Sequence, residues 1–154
     1  MIAKEFELFL KGHVDTYLTP AEQVAIFVDT HNADHVLLLL ASNGYSRVPI
    51  ITKDKKYVGT ISISDILAYQ SEKGLQDWEM AQTDIAHMTN SKIPTVSIDA
   101  DVTEVLHKLV EFPFLPVVDV QQTFVGIITR KSILKAINSL LHNFTKDYTI
   151  SPND

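Results

Sequence analysis

Apolar residues Ile2, Phe6, Phe9 and Leu10 recur at helical spacing, with Lys4, Glu5 and Glu7 between them. That spacing predicts a short amphipathic helix within residues 1–13. Leu18-Thr19-Pro20 reads as a break in the chain. Residues 24–28 form a short apolar run with β-branched members, which predicts a buried strand. Asn32 is placed to cap a helix through Leu40, and Asn43-Gly44 to end it. Residues 47–51 read as a strand, 53–56 as a polar turn, 57–62 as a returning strand and 64–72 as a helix. A polar linker containing Trp78 follows over 73–82.

The order then restarts. Met88-Thr89 parallels Leu18-Thr19, and 95–98 parallels the first strand. Asp101-Val102-Thr103-Glu104 has the chemistry of a capping box and opens a helix to about Glu111. Residues 114–118 and 124–129 predict two more strands, 131–142 a last helix, and 145–154 a polar, frayed end. Each half therefore reads β-α-β-β-α. A unit that small buries too little surface to stand alone, so the halves are expected to pack on each other about a pseudo-twofold axis. The expected class is α+β. The expected divisions are a helix at 1–13, repeat one at 14–72, a linker at 73–82, repeat two at 83–143 and a flexible tail at 144–154.

One stretch recurs most closely. Gly59-Thr60-Ile61-Ser62-Ile63-Ser64-Asp65 and Gly126-Ile127-Ile128-Thr129-Arg130-Lys131-Ser132 both fit Gly-apolar-x-[Ser/Thr]-x-x-[Asp/Ser], 67 positions apart (59 to 126). Each runs from a strand through a hydroxyl into a helix start, where backbone N–H groups can face an anion. Composition narrows what that anion is. The net charge is −6, which argues against a general nucleic-acid binder, so an anion site must rest on a few local cations. The 154 residues contain no cysteine, and so no thiolate ligand or nucleophile. No apolar run is long enough to span a membrane, and the start of the chain has no signal-peptide core. A cytoplasmic protein without membrane contact is expected.

Strand, helix, Arg47-Val48-Pro49-Ile50 and then the Gly59 stretch resemble a CBS domain, and Leu115-Pro116-Val117-Val118 with the Gly126 stretch repeats the resemblance. It covers residues 14–142. A paired CBS (Bateman) module implies binding of adenine nucleotides in clefts between the repeats. Each cleft is implied to use the first strand and the Pro-containing strand of one repeat, with the Gly-x-x-[Ser/Thr]-x-x-Asp segment of the other. A stand-alone pair with Val24-Ala25, Gly44-Tyr45-Ser46 and Thr129-Arg130-Lys131 is similar to the cyclic-di-AMP-binding CBS proteins of Gram-positive bacteria. That similarity implies a non-catalytic signal receptor, a disc-like homodimer and an effector protein such as a (p)ppGpp synthetase. The alternatives are an AMP, ADP or ATP sensor and a ligand-free dimerisation scaffold.

The first cleft would join Val24, Ala25, Tyr45, Ser46 and Arg47 to Thr129, Arg130, Lys131 and Ser132. Ala25 is small enough for a base to approach the backbone. Tyr45 offers a stacking face, and Arg130 and Lys131 offer charge-assisted bonds to phosphate. The plainer reading is two solvated cations at a helix start and a tyrosine packing a turn. The second cleft would join Ser62, Ser64 and Asp65 to Thr89, Ile93, Thr95 and Leu115, without a cation. Asp65 stands where the family holds a ribose, although Ser62-x-x-Asp65 is equally a helix-capping pair. Ser132 takes Asp65's place in the other copy. A hydroxyl cannot clamp a vicinal diol, and a cyclic 3′,5′-dinucleotide has none, so the first cleft suits cyclic di-AMP better than AMP or ATP. His31 and His35 are four apart, as zinc ligands on one helix face can be, but no third ligand is visible. His13, His87, His107 and His142 are scattered. No cofactor, metal or catalytic set is expected, since no nucleophile motif or phosphate loop is present.

Overall fold

A computed structural model describes residues 2–12 and 14–154; Met1 and His13 lie outside the described residues. The chain begins with helix α1 (Lys4–Lys11), α2 (Val14–Tyr17) and strand β1 (Leu18–Pro20), followed by a 3-10 turn at Ala21–Gln23. The first repeat continues with β2 (Phe27–Val28), α3 (Ala33–Asn43), β3 (Val48–Ile51), β4 (Tyr57–Ile61) and α4 (Ile63–Lys73). Helix α5 (Asp77–Met80) and a 3-10 turn at Ile85–Met88 connect the repeats. The second repeat contains β5 (Val96–Ser97), α6 (Val102–Glu111), β6 (Phe114–Val118), β7 (Phe124–Thr129) and α7 (Arg130–Asp147). This is the α+β arrangement expected, with a three-stranded sheet β2-β3-β4 and a four-stranded sheet β1-β7-β6-β5.

The repeats interlock through their lead-in segments. β1 opens the first repeat but pairs antiparallel with β7 of the second, Thr19 facing Ile127 and Pro20 facing Gly126. In the reverse direction Asn90, in the opening segment of the second repeat, exchanges two 2.8 Å backbone hydrogen bonds with Thr60 on β4. The duplicated glycines are explained by these crossings. A Cβ on Gly126 would collide with the carbonyl oxygen of Thr19, and one on Gly59 with Thr89 Cγ2 and, at 2.8 Å, with Asn90 O. Each core consequently belongs to both halves. Leu10 and Tyr17 join the core of the second repeat, and Met80, Ile85 and Met88 join that of the first. The hairpin tips meet as well: Tyr57 N–H donates to Gln122 O at 3.1 Å, Phe124 N–H to Lys55 O at 2.9 Å, and the two rings stack at 6.2 Å.

Several expectations need correction. Leu18–Pro20 is a strand rather than a break, because a proline is tolerated on the outer strand of a sheet. The run at 24–28 is a strand only at Phe27–Val28, and 24–26 is extended without ladder pairing. The linker holds the helix α5, at whose start Gln76 N–H donates to Glu79 Oε2 at 2.7 Å. The last helix reaches Asp147, five residues beyond the expected end at 142. It is held there because Phe144 packs on Phe6 at 4.8 Å and Tyr148 stacks on Phe144 at 4.5 Å. His31 precedes α3 and sets its ring edge-on to Phe27, so it shares no helix face with His35.

Tyr57 carries a first testable consequence. Its hydroxyl is buried without a partner among the described residues, and burial pushes its pKa up to about 12. Tyr57→Phe removes an unsatisfied polar group and keeps the ring. It is expected to melt at or above the parent temperature, by up to about 1 kcal/mol of stability. A clear loss would mean that the hydroxyl is satisfied in solution.

Candidate functional site

The first cleft lies between the repeats, walled by residues of β3 from the first and of β6 and β7 from the second. Its cavity of about 290 Å³ is lined by Val24, Ala25, Tyr45, Arg47, Phe114 and Thr129, among others. Ala25 lies in the extended stretch between the 3-10 turn and β2, and its backbone makes no hydrogen bond among the described residues. Its main-chain N–H and carbonyl are therefore unpaired among the described residues. Tyr45 follows Gly44, whose φ of 66° lets the chain turn sharply out of α3. That turn leaves Tyr45 44% exposed at the wall of the cavity.

Thr129 ends β7 and caps α7. Its hydroxyl accepts from Ser132 N–H at 3.0 Å and donates to Ser132 Oγ at 2.8 Å. The two hydroxyls of the second copy are thus turned toward each other. Arg130 lies beside this cap, but its guanidinium is directed to the end of α6. Nε donates to Leu109 O at 2.6 Å and Nη2 to Val110 O at 2.8 Å. A cation at a helix C-terminus is favourable, which accounts for this placement. Ser46, Arg130, Lys131 and Ser132 are not among the residues lining the cavity, whereas Val24, Ala25, Tyr45, Arg47 and Thr129 are.

The second set is only partly assembled. Asp65 and Thr89 border an open groove with Tyr69, Glu72, Asn90 and Lys92. Leu115 and Ile93 are buried, at 0% and 7% exposure, and Ser62 is buried at 7%. Ser64 is exposed on α4, and the Thr95 carbonyl accepts from Lys108 Nζ at 3.2 Å. The expectation of a carboxylate without a cation is overturned. Arg47 Nη1 lies 2.7 Å from Asp65 Oδ2. The same guanidinium donates to Thr60 Oγ1 at 3.0 Å and Ser62 Oγ at 3.3 Å. Asp65 also accepts from Ser62 N–H at 3.0 Å and Asn90 Nδ2 at 3.2 Å. With the Asp65 N–H donating to Ser62 Oγ, the capping box at the start of α4 is complete.

Burial alone would raise the Asp65 carboxyl, but the hydrogen bonds from Asn90 and Arg47, the Arg47 charge and the Ser62 bond outweigh it and hold the pKa below its ordinary value. A pKa depressed on folding gives stability that is complete above the unfolded value, near 4, and is lost as pH falls through the folded value. Asp65→Asn is therefore expected to be less stable than the parent at pH 7, with the difference closing in acid. Urea unfolding between pH 7 and about 2.5 reads this directly. A constant difference across that range would contradict the assignment.

His35, His87, His107 and His142 are exposed, and among the described residues no group of three His, Asp or Glu side chains could hold a metal ion. No helix among the described residues is long and apolar enough to cross a membrane.

Comparison with known proteins agrees with this architecture. The chain is 26% identical over 149 residues to cyclic di-AMP receptor B of Bacillus subtilis (strain 168), covering 95% of this chain and all of that protein. It is 70% identical to CbpB from Streptococcus agalactiae, with a TM-score of 0.96 over 99% of this chain and 96% of the other. A crystal structure of CbpB in complex with c-di-AMP is also 70% identical, with a TM-score of 0.87 over 94% and 97% of the two chains. The CBS domain profile matches residues 18–72 and again 83–139, so the chain belongs to the CBS domain family and carries the domain in two tandem copies.

Proposed function

We propose that this chain is a non-catalytic receptor that binds cyclic di-AMP in the first cleft. The supporting observation is the cavity itself. It brings the open backbone of Ala25, the Tyr45 ring and the Thr129 cap together from the two repeats, in a chain 70% identical to a CbpB crystallised with c-di-AMP. At about 290 Å³ it is at the small end of ligand clefts, which run from roughly 300 Å³ upward. One adenosine half occupies it, and the other half lies at its mouth. The phosphates are assigned to Arg47, Lys131 and Arg130, the last after leaving the carbonyls of Leu109 and Val110. Binding alters docking on an effector protein such as a (p)ppGpp synthetase in the cytoplasm. A second copy pairs through the exposed Leu38 and Leu67 of the first repeat and Leu134 and Leu141 of the second.

A ligand that binds only the folded state raises stability by RT ln(1 + [L]/Kd). At a hundredfold excess over Kd that is about 2.7 kcal/mol, or roughly 5–10 °C in melting temperature. Cyclic di-AMP is expected to give this shift at lower concentration than AMP, ADP or ATP. A larger shift with the mononucleotides would make the chain an energy sensor. No shift with any of them would leave a scaffold.

A further inference from the structure

Arg47 and Asp65 border different clefts. Arg47 lines the first cavity and Asp65 the open groove beside α4, yet the two are joined at 2.7 Å. The join follows from the sheet. Val48 pairs with Ile61, which sets Arg47 opposite Ser62 at the end of the ladder. Ser62 is the cap of α4, and Asp65 is three residues into the cap motif. The guanidinium has five N–H donors. Three of them are used within the protein, on Asp65, Thr60 and Ser62. Its other two donors have no partner among the described residues, and Arg47 lines the first cavity. Asp65 is similarly committed, since its two oxygens already accept from Arg47, Ser62 N–H and Asn90.

This arrangement distinguishes the pair from an ordinary surface ion pair. An arginine on a free stem must be ordered when it meets a phosphate, and that ordering costs rotamer entropy. Arg47 is already ordered, by a carboxylate and two hydroxyls, at the wall of the cavity. We propose that Asp65 is a positioning residue for the first cleft, acting through Arg47 and touching no ligand there. The groove beside α4 is then the rear support of the anion site rather than a second nucleotide site. The proposal rests on the reading that cyclic di-AMP occupies the first cleft.

A double-mutant cycle on the full chain tests it, with cyclic di-AMP as the probe in calorimetric titration and melting curves run in parallel. Arg47→Met is expected to weaken binding about tenfold to a hundredfold, the effect of losing a charged hydrogen-bond donor. Asp65→Asn keeps an acceptor for the Ser62 N–H and should weaken binding about three- to tenfold, by releasing the fork. In the Arg47→Met background Asp65→Asn should cost no further affinity, because nothing remains to be positioned. Melting temperature gives the contrast: Asp65 also caps α4, so the double variant should still melt below Arg47→Met. If Asp65→Asn binds like the parent, or its loss persists undiminished without Arg47, the positioning role is overturned. In that case binding by the parent leaves the receptor reading standing. Failure of the parent to bind at all overturns both.

Discussion

Gly126→Ala is expected to destabilise the chain by about 3 kcal/mol, the upper part of the range for overpacking a close contact. The added Cβ would meet Thr19 O directly, with Thr19 C at 3.1 Å and Pro20 Cα at 3.2 Å. All three are backbone atoms, so no rotamer change relieves the clash. The strands must part, and β1 is the element by which the start of the first repeat joins the sheet of the second. In a chain of this size the loss is roughly 6–12 °C in melting temperature. Gly59→Ala makes the symmetric change with its shortest contact on the Thr89 side chain and its backbone contact, Asn90 O, at 2.8 Å. It should cost about 1–2 kcal/mol. Urea unfolding of both variants checks the order. Equal losses, or a Gly126→Ala protein melting within a degree of the parent, would contradict the crossing as drawn.

Ala25→Leu is the second large effect, and it falls on binding. Ala25 contributes one methyl group to a cavity of about 290 Å³. Leucine adds three carbons where the base is expected to lie. Displacing or straining the ligand by the cost of overpacking, about 1–3 kcal/mol, lowers affinity roughly tenfold to a hundredfold. Ala25 also packs against the core of the first repeat, so part of the change can fall on stability. Calorimetry for affinity and a melting curve for stability separate the two effects. Unchanged affinity would move the base elsewhere.

Much of the fold could be read from local signals. The strands at 48–51, 114–118 and 124–129 are apolar runs bounded by turn residues, and Gly44 ends α3 in the left-handed conformation that its type permits. The features that were not legible depend on contacts distant in sequence. Extension of α7 to Asp147 depends on Phe6, more than a hundred positions earlier. Pro20 read as a breaker because nothing local shows that β1 is an outer strand. The glycines of the duplicated stretch have no local reason; each makes room for a segment crossing from the other repeat.

The candidate site divides along the same line. Ala25, Tyr45 and Thr129 could be placed together because the resemblance to a paired CBS module implies clefts built from these segments of both repeats. The direction of a long side chain could not. Arg130 follows Thr129 in sequence and still turns toward the end of α6. Arg47 crosses to Asp65, eighteen positions away, through a ladder register that local pattern does not specify.

The central claim is that the first cleft is a cyclic dinucleotide site. It is tested most directly by calorimetric titration of the parent chain with cyclic di-AMP, AMP and ATP under one set of conditions, repeated with Ala25→Leu. The account predicts one cyclic di-AMP per chain, bound more tightly than either mononucleotide and weakened roughly tenfold or more by Ala25→Leu. AMP or ATP binding more tightly than cyclic di-AMP, or cyclic di-AMP affinity indifferent to Ala25→Leu in a folded protein, would contradict it.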